Sequence, residues 1–206
     1  MKILHIVELD KKKGKVHLEN GEAFALYLGE IKKYQLKEGM ELEEDVYQEI
    51  VYDLLEKRAR ERMLYLLRDT DKTEKQIREK LMAGNYPKTA VEAAILFGKT
   101  HHYIDDRRYA EEFIRTRGSK LSRKELEYKL MQKGISKEIC QEVYELAQEE
   151  GLQEEAAIER LLQKKNVNFS EITPEEKQKI YAYFMRKGFS YDSILKKVNE
   201  FESRDT

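Results

Sequence analysis

The chain has 206 residues, of which 40% are hydrophobic and 38% charged, with a formal net charge of −1. A charged fraction this far above the usual quarter, with only 2 prolines and 10 glycines, points to a highly helical protein with small cores and much solvated surface. A disordered chain is excluded by 13 Tyr and 7 Phe spread along it, and the near-neutral total means that any nucleic-acid role must rest on local charge. The single cysteine, Cys140, excludes an intrachain disulfide and a multi-cysteine metal site. The N-terminal stretch MKILHIVELDKKKGK lacks the apolar run of a signal peptide, and no segment is long and apolar enough to span a membrane, so a soluble cytoplasmic protein is expected.

In chain order, Ile3, His5 and Val7 alternate with Leu4, Ile6 and Glu8, as a strand does. Lys11-Lys12-Lys13-Gly14 reads as a turn, Val16 to Leu18 as a second strand, and Asn20-Gly21 as a tight hairpin with positive φ at both central residues. Phe24 to Leu28 reads as a third strand, which predicts a meander over 2–28 packed on the helix that follows. Ile31 and Tyr34 suggest a short helix ended by Gly39, and Val46, Ile50, Leu54, Leu55, Met63, Leu64 and Leu67 sit at helical spacing. Asp69-Thr70-Asp71 interrupts that run, and everything beyond is helix and turn.

Three stretches, LMAGNY (81–86), LMQKGI (130–135) and FMRKGF (184–189), share one pattern, with anchors Leu81, Leu130 and Phe184 spaced 49 and 54 residues apart. Asn85, Gly134 and Gly188, at the same offset, are residues that accept the left-handed conformation ending a helix. The next residue, Tyr86, Ile135 or Phe189, is expected to fold back on that helix. Upstream, Thr73/Gln76, Ser122/Glu125 and Thr173/Glu176 have capping-box spacing, and Pro174 falls at a first helical position. Downstream, Val91, Cys140 and Ile194 match in register, as do Ile95, Tyr144 and Val198. Leading helices are marked by Met63, Leu64 and Leu67, by Tyr109, Ala110, Phe113 and Ile114, and by Ala157, Ile158, Leu161 and Leu162. The pattern predicts a mainly α protein of three tandem three-helix, helix-turn-helix-like repeats, elongated by stacking and preceded by a small β-hairpin or meander. The boundaries fall at 1–56 for the β-hairpin-plus-helix segment, 57–104 for repeat 1, 105–151 for repeat 2 and 152–206 for repeat 3.

The sequence carries no Gly-rich phosphate loop and no catalytic constellation, and neither cofactor nor metal is expected. His101-His102 beside Asp105-Asp106 could in principle ligate a metal, but reads better as a connector whose aspartates start the next helix. His5 and His17 are structural, and Cys140 lies in the apolar register of its repeat. Charge is more telling. Residues 115–124, RTRGSKLSRK, hold Arg115, Arg117, Lys120, Arg123 and Lys124 and no acidic residue, with Arg107 and Arg108 just upstream. Residues 138–159 carry eight glutamates and no Lys or Arg, which predicts two faces of opposite sign. A solvated helix face would also show such runs; the functional reading is that the basic turn meets phosphates or an acidic protein groove.

The stretch Asp105-Asp106-Arg107-Arg108-Tyr109-Ala110, followed by Phe113, Ile114, Arg115 and Arg117 and then by Ser122, Glu125, Leu126, Leu130, Gly134 and Ile135, resembles the core motif of RecX regulatory proteins. The N-terminal segment, with Leu36-x₂-Gly39-x₂-Leu42, is similar to that of the longer members, so the resemblance spans nearly the whole chain. Repeats 1 and 3 match more loosely, with Asn85 in place of Gly and an insert around Asn166–Glu171. The resemblance implies a non-enzymatic regulator of the RecA recombinase. Such a protein binds the RecA filament on single-stranded DNA, limits its strand-exchange, ATPase and coprotease activities, and belongs to homologous recombination, DNA repair and the SOS response. Weak direct DNA contact and a monomeric state fit that role. Carried over by position, Arg107, Arg108, Arg115, Arg117, Lys120, Arg123 and Lys124 are the candidate contacts, an assignment made from charge, while Tyr109, Phe113, Leu126, Leu130 and Ile135 should be core. Two rivals remain open: a sequence-independent DNA-binding repeat protein acting without RecA, and a helical adaptor or scaffold.

Overall fold

The structure is a computed structural model that describes residues 1–149, 154–165, 169 and 172–204. It divides into two compact units, Met1–Asp105 and Asp106–Thr206.

In the first unit, β1 (Ile3–Glu8), β2 (Lys13–Leu18) and β3 (Ala23–Tyr27) form an antiparallel meander in the order β1-β2-β3. Val16 pairs with Ile6 on one side and Phe24 on the other, so the inward set of β2, Gly14, Val16 and Leu18, is buried in register. Two details differ from the sequence reading. Gly14 lies inside β2, where an added Cβ would sit 2.8 Å from Ile31 Cδ1, and the β1–β2 turn precedes Lys13, organised by Asp10 accepting from the amides of Lys12 and Lys13. At the second hairpin only Gly21 has positive φ (84°). A turn closed by Gly21 N–H donating to Leu18 O is followed by a left-handed glycine, so Asn20 keeps ordinary backbone and its side chain accepts from Glu22 N–H.

The segment after α1 (Leu28–Lys33) crosses to β1, where Leu36 and Leu42 are buried and Gly39 (φ 76°) lets the chain turn between them. Ile3 N–H donates to Met40 O and Gly39 N–H to Ile3 O, which occupies part of the exposed edge of β1. One uninterrupted helical run follows: α2 (Glu44–Gln48), a π-helical stretch (Glu49–Leu55) and α3 (Glu56–Leu67). Ile50, Val51, Leu55, Ala59 and Met63 form its buried stripe, whereas Leu64, assigned to the core by periodicity, is 38% exposed. With α4 (Glu74–Ala83) and α5 (Lys88–Thr100) this run completes the first three-helix unit. Its core is continuous with the sheet: Ile3, Val16, Phe24 and Leu26 belong to the same cluster as Met63, Ile77, Leu81, Val91 and Ile95.

The second unit holds two further three-helix bundles. The first comprises α6 (Asp106–Arg117), α7 (Arg123–Gln132) and α8 (Lys137–Glu149), around Ala110, Phe113, Ile114, Leu126, Leu130, Ile135, Cys140 and Tyr144. The second comprises α9 (Glu154–Lys165), α10 (Pro174–Lys187) and α11 (Tyr191–Arg204), around Ala157, Ile158, Leu162, Phe184, Phe189, Ile194 and Val198. The expected boundary at 151/152, Glu150, and the insert at 166–171, apart from Phe169 in the third core, lie outside the described residues.

The same local chemistry closes the middle helix of each bundle. All three capping boxes form: Thr73, Ser122 and Thr173 accept from the amides of Gln76, Glu125 and Glu176, whose side chains accept from the capping residue's own N–H. At the other end Asn85, Gly134 and Gly188 are left-handed, with φ of 58°, 92° and 89°. Tyr86, Ile135 and Phe189 donate back to the carbonyls of Leu81, Leu130 and Phe184, at 3.4, 3.1 and 3.3 Å, while the left-handed residues donate to the Met82, Met131 and Met185 carbonyls. This paired pattern satisfies carbonyls that the helix end would leave orphaned, and it buries Ile135 and Phe189 beside their anchors.

Candidate functional site

The basic residues of the middle bundle arise from α6, the loop after it and the first turn of α7. Arg115 and Arg117 occupy the last turn of α6, where cations complement the negative end of the helix dipole. Ser122 then starts α7 and sets Arg123 and Lys124 in its first turn.

The structure shows what each cation is already doing. Arg107 Nε lies 3.2 Å from Glu111, and its Nη1 lies 2.8 Å from Glu142 on α8, which raises its pKa chiefly through the Glu142 hydrogen bond. Arg108 is exposed and engaged within the protein. Arg115, three-quarters exposed, is held by Glu112 one turn back at 2.6 Å. Arg117 covers the Phe113 ring at 5.2 Å, and Lys120 projects from the loop, exposed. Arg123 lies 4.9 Å from the centre of the Tyr144 ring and 3.9 Å from Glu145. Lys124 reaches into the third bundle, its Nζ 3.0 Å from Arg186 O and its Cγ where a Cβ on Gly188 would stand 2.7 Å away.

The seven residues therefore do not make one uniform patch. Arg115, Arg117 and Lys120 are exposed around the end of α6, with Arg115 on Glu112 and Arg117 over the Phe113 ring. Arg123 and Lys124 pack on structure, and Arg107 is tied across to α8. The two charged segments do not form opposite faces: Glu142 and Glu145 of the acidic stretch turn onto Arg107 and Arg123 of the basic one. Sequence separation concealed this, since Arg107 and Glu142 are 35 residues apart.

The joint between the two bundles of this unit is polar. Glu154 is 5% exposed, accepts from the Tyr144 hydroxyl through a short hydrogen bond and accepts from Ser190 N–H at 3.0 Å. Burial, and then that bond, hold the Tyr144 phenol firmly protonated. Lys187 Nζ meets Glu125 at 2.8 Å. Burial alone would raise the Glu125 pKa, but Lys187 and the Ser122 donors bring it below the usual carboxylate value.

The sequence reading missed a second cationic surface, in the first unit. Lys13 on β2, Arg58 and Arg62 on α3 and Lys80 on α4 surround a common cleft. No linear charge scan could find it, because its members come from three separated stretches.

The other candidates are structural. Cys140 is buried and its thiol is pushed up to about 11, first by burial. His101 forms a three-ring cluster with Phe97 and Tyr103, at 4.4 and 6.2 Å, and His5 pairs across the sheet with His17. Among the described residues no group of three His, Cys, Asp or Glu is placed to hold a metal, and no helix is long and apolar enough to cross a membrane.

Comparison with known proteins is consistent along the chain. The family models described as RecX, second three-helix domain, and RecX, third three-helix domain, match residues 105–143 and 153–198. "Regulatory protein RecX" of Clostridium botulinum (strain Alaska E43 / Type E3) is 30% identical, over 98% of this chain and 97% of its own length. The protein of the same name from Clostridium acetobutylicum is 28% identical, over 97% and 96%. A crystal structure of regulatory protein RecX superposes with a TM-score of 0.60 at 24% identity, covering 98% of both chains, and that of RecX from Lactobacillus salivarius does so at the same score and identity over 72% of this chain and 97% of its own. At that identity the structural likeness speaks for the fold.

Proposed function

Since this chain belongs to the RecX family of regulatory proteins, we propose that it acts without catalysing a reaction of its own, by binding the RecA filament on single-stranded DNA and restraining its ATPase, strand-exchange and coprotease activities. The observation that carries the reading is architectural. One chain bears three three-helix modules closed by the same turn, and the middle module exposes Arg115, Arg117 and Lys120 around one helix end. A filament presents one surface many times over. Modules joined in one chain can engage it at several points, each contact raising the effective concentration of the next. Such a ligand biases the filament between states by the difference in its affinity for them.

The test is a titration of the protein into its cognate RecA turning over ATP on single-stranded DNA. Substoichiometric protein is expected to lower the rate, and no change at equimolar protein would refute the proposal. Arg115→Glu, Arg117→Glu and Lys120→Glu together should weaken the effect at least about tenfold, and because Arg117 covers the Phe113 ring the variant's melting temperature is checked alongside. Arg123 and Lys124 are left intact in that variant, since reversing them would disturb Tyr144 and the contact with Arg186.

A further inference from the structure

We infer that the first unit carries its own binding site for single-stranded nucleic acid: the cleft bounded by Lys13, Tyr27, Arg58, Arg62, Lys80 and Tyr86. This goes beyond the proposed action on RecA, because the site needs no filament and shares no residue with the basic turn of the middle module.

The cleft has a volume of about 780 Å³ and is open to solvent; Glu61, Ala83 and Gly84 complete its lining. Its cations come from separate elements. Lys13 opens β2, Arg58 and Arg62 stand one turn apart on α3, and Lys80 lies in the last turn of α4. Against four cations the lining sets one carboxylate, Glu61. Arg58 is fixed in place, bonded to both carboxylate oxygens of Glu30 and lying 4.8 Å from the centre of the Tyr27 ring. Lys13 Nζ stands 5.1 Å from the same ring. Arg62 and Lys80 are exposed, and neither is held in a salt bridge among the described residues. This contrasts with Arg107 of the middle module, which is tied to Glu111 and Glu142.

The flat surfaces decide the class of ligand. Tyr27 is 41% exposed; Arg58 and Lys13 lie over its ring, and a base gains ring surface when the flexible Lys13 chain swings to a phosphate. The Tyr86 ring lies beside Gly84, where a Cβ would come within 3.1 Å of it, so the glycine lets the ring settle along the wall. Tyr86 is half-buried, with Arg58 and Arg62 near enough to act on its phenol. A polyanion that also offers flat rings matches this combination of spread cations and phenol faces, as single-stranded nucleic acid does. A duplex keeps its bases stacked inside and has none to give. An acidic peptide would satisfy the cations but leave the rings unused.

Among the described residues Lys13, Arg62 and Lys80 have no carboxylate partner in a salt bridge, so binding to a single strand should weaken with salt at a log–log slope of about −2. The experiment is fluorescence anisotropy of the full-length protein with a labelled oligothymidylate of about 12 nucleotides, across a salt series and without RecA. The double variant Arg62→Ala, Lys80→Ala should bind about tenfold or more weakly and lose roughly 1.4 of the slope. It should melt like the parent, since both side chains are exposed. Tyr27→Leu should weaken binding several-fold and leave the slope unchanged, separating ring from charge. The variant Arg115→Glu, Arg117→Glu, Lys120→Glu should keep the parental oligonucleotide affinity even where its effect on RecA is lost. Absence of binding by the parent at low salt would overturn the inference. So would loss confined to the middle-module variant, or displacement of the oligonucleotide by polyglutamate at equal charge concentration.

Discussion

Replacing Gly134 tests whether the thrice-used turn is held by backbone conformation. Gly134 is exposed with φ 92°, so the cost of any side chain there includes a left-handed dihedral angle. A left-handed alanine costs about 1–2 kcal/mol. Stiffening the unfolded chain returns about 0.4–1 kcal/mol, which leaves a net loss near 1 kcal/mol. For a cooperative unit of about 100 residues that lowers Tm by about 4–8 °C. Asparagine tolerates this conformation, as Asn85 demonstrates at the matching position with φ 58°, so Gly134→Asn should cost about half as much or less. Valine is β-branched and should cost about 2 kcal/mol or more. The assay is thermal unfolding followed by circular dichroism across the three variants. The order Asn, Ala, Val is the signature; equal melting temperatures, or asparagine as damaging as alanine, would refute the backbone argument.

Ser122→Ala removes the acceptor that caps α7 and should cost about 1 kcal/mol, measured by urea denaturation; a loss of unfolding free energy under about 0.1 kcal/mol would show the box to be ornamental. Glu125 has a depressed pKa in the folded state, so its contribution is present above the unfolded value of about 4.3 and disappears as pH falls through the folded one. Glu125→Gln keeps a capping side chain, as Gln76 does in the first bundle, while losing the charge pair with Lys187. Its stability deficit should therefore be visible near neutral pH and vanish in acid. A deficit that persists after pH has fallen through the folded-state pKa of Glu125 would mean that the cap was damaged. Cys140, with its thiol pushed up to about 11, should resist alkylation in the native protein and react at once in denaturant.

What was readable in the chain was chemistry between near neighbours. Ser122 and Glu125, or Leu130, Gly134 and Ile135, satisfy one another within a helix turn, and no distant residue has a vote. The register of Val91, Cys140 and Ile194 was readable for a related reason: a helix in a small bundle has one face to bury. Leu64 failed that logic because α3 presents a narrower stripe, Ala59 and Met63, than periodicity alone suggested. Asn20 failed because a following left-handed Gly21 can absorb the twist that a two-residue turn would have demanded of both. The electrostatic surface was least readable. Whether Arg107 is available depends on Glu142, and whether Lys13 and Lys80 share a cleft depends on how a sheet meets a helix pair; neither follows from local sequence.

The buried carboxylate of Glu154 has a consequence for how the second unit comes apart. Its bundles keep separate apolar cores, which by themselves would permit two melting transitions. Yet unfolding the middle bundle removes the Tyr144 hydroxyl from Glu154, and unfolding the last bundle, which carries Glu154 itself, leaves that buried hydroxyl without its acceptor. The first leaves a buried carboxylate short of a donor and the second a buried phenol short of its acceptor, each a loss of about 1–3 kcal/mol. Half-unfolded species are thereby depopulated, and two cores that share no side chain are made to cooperate by one acidic group at their border.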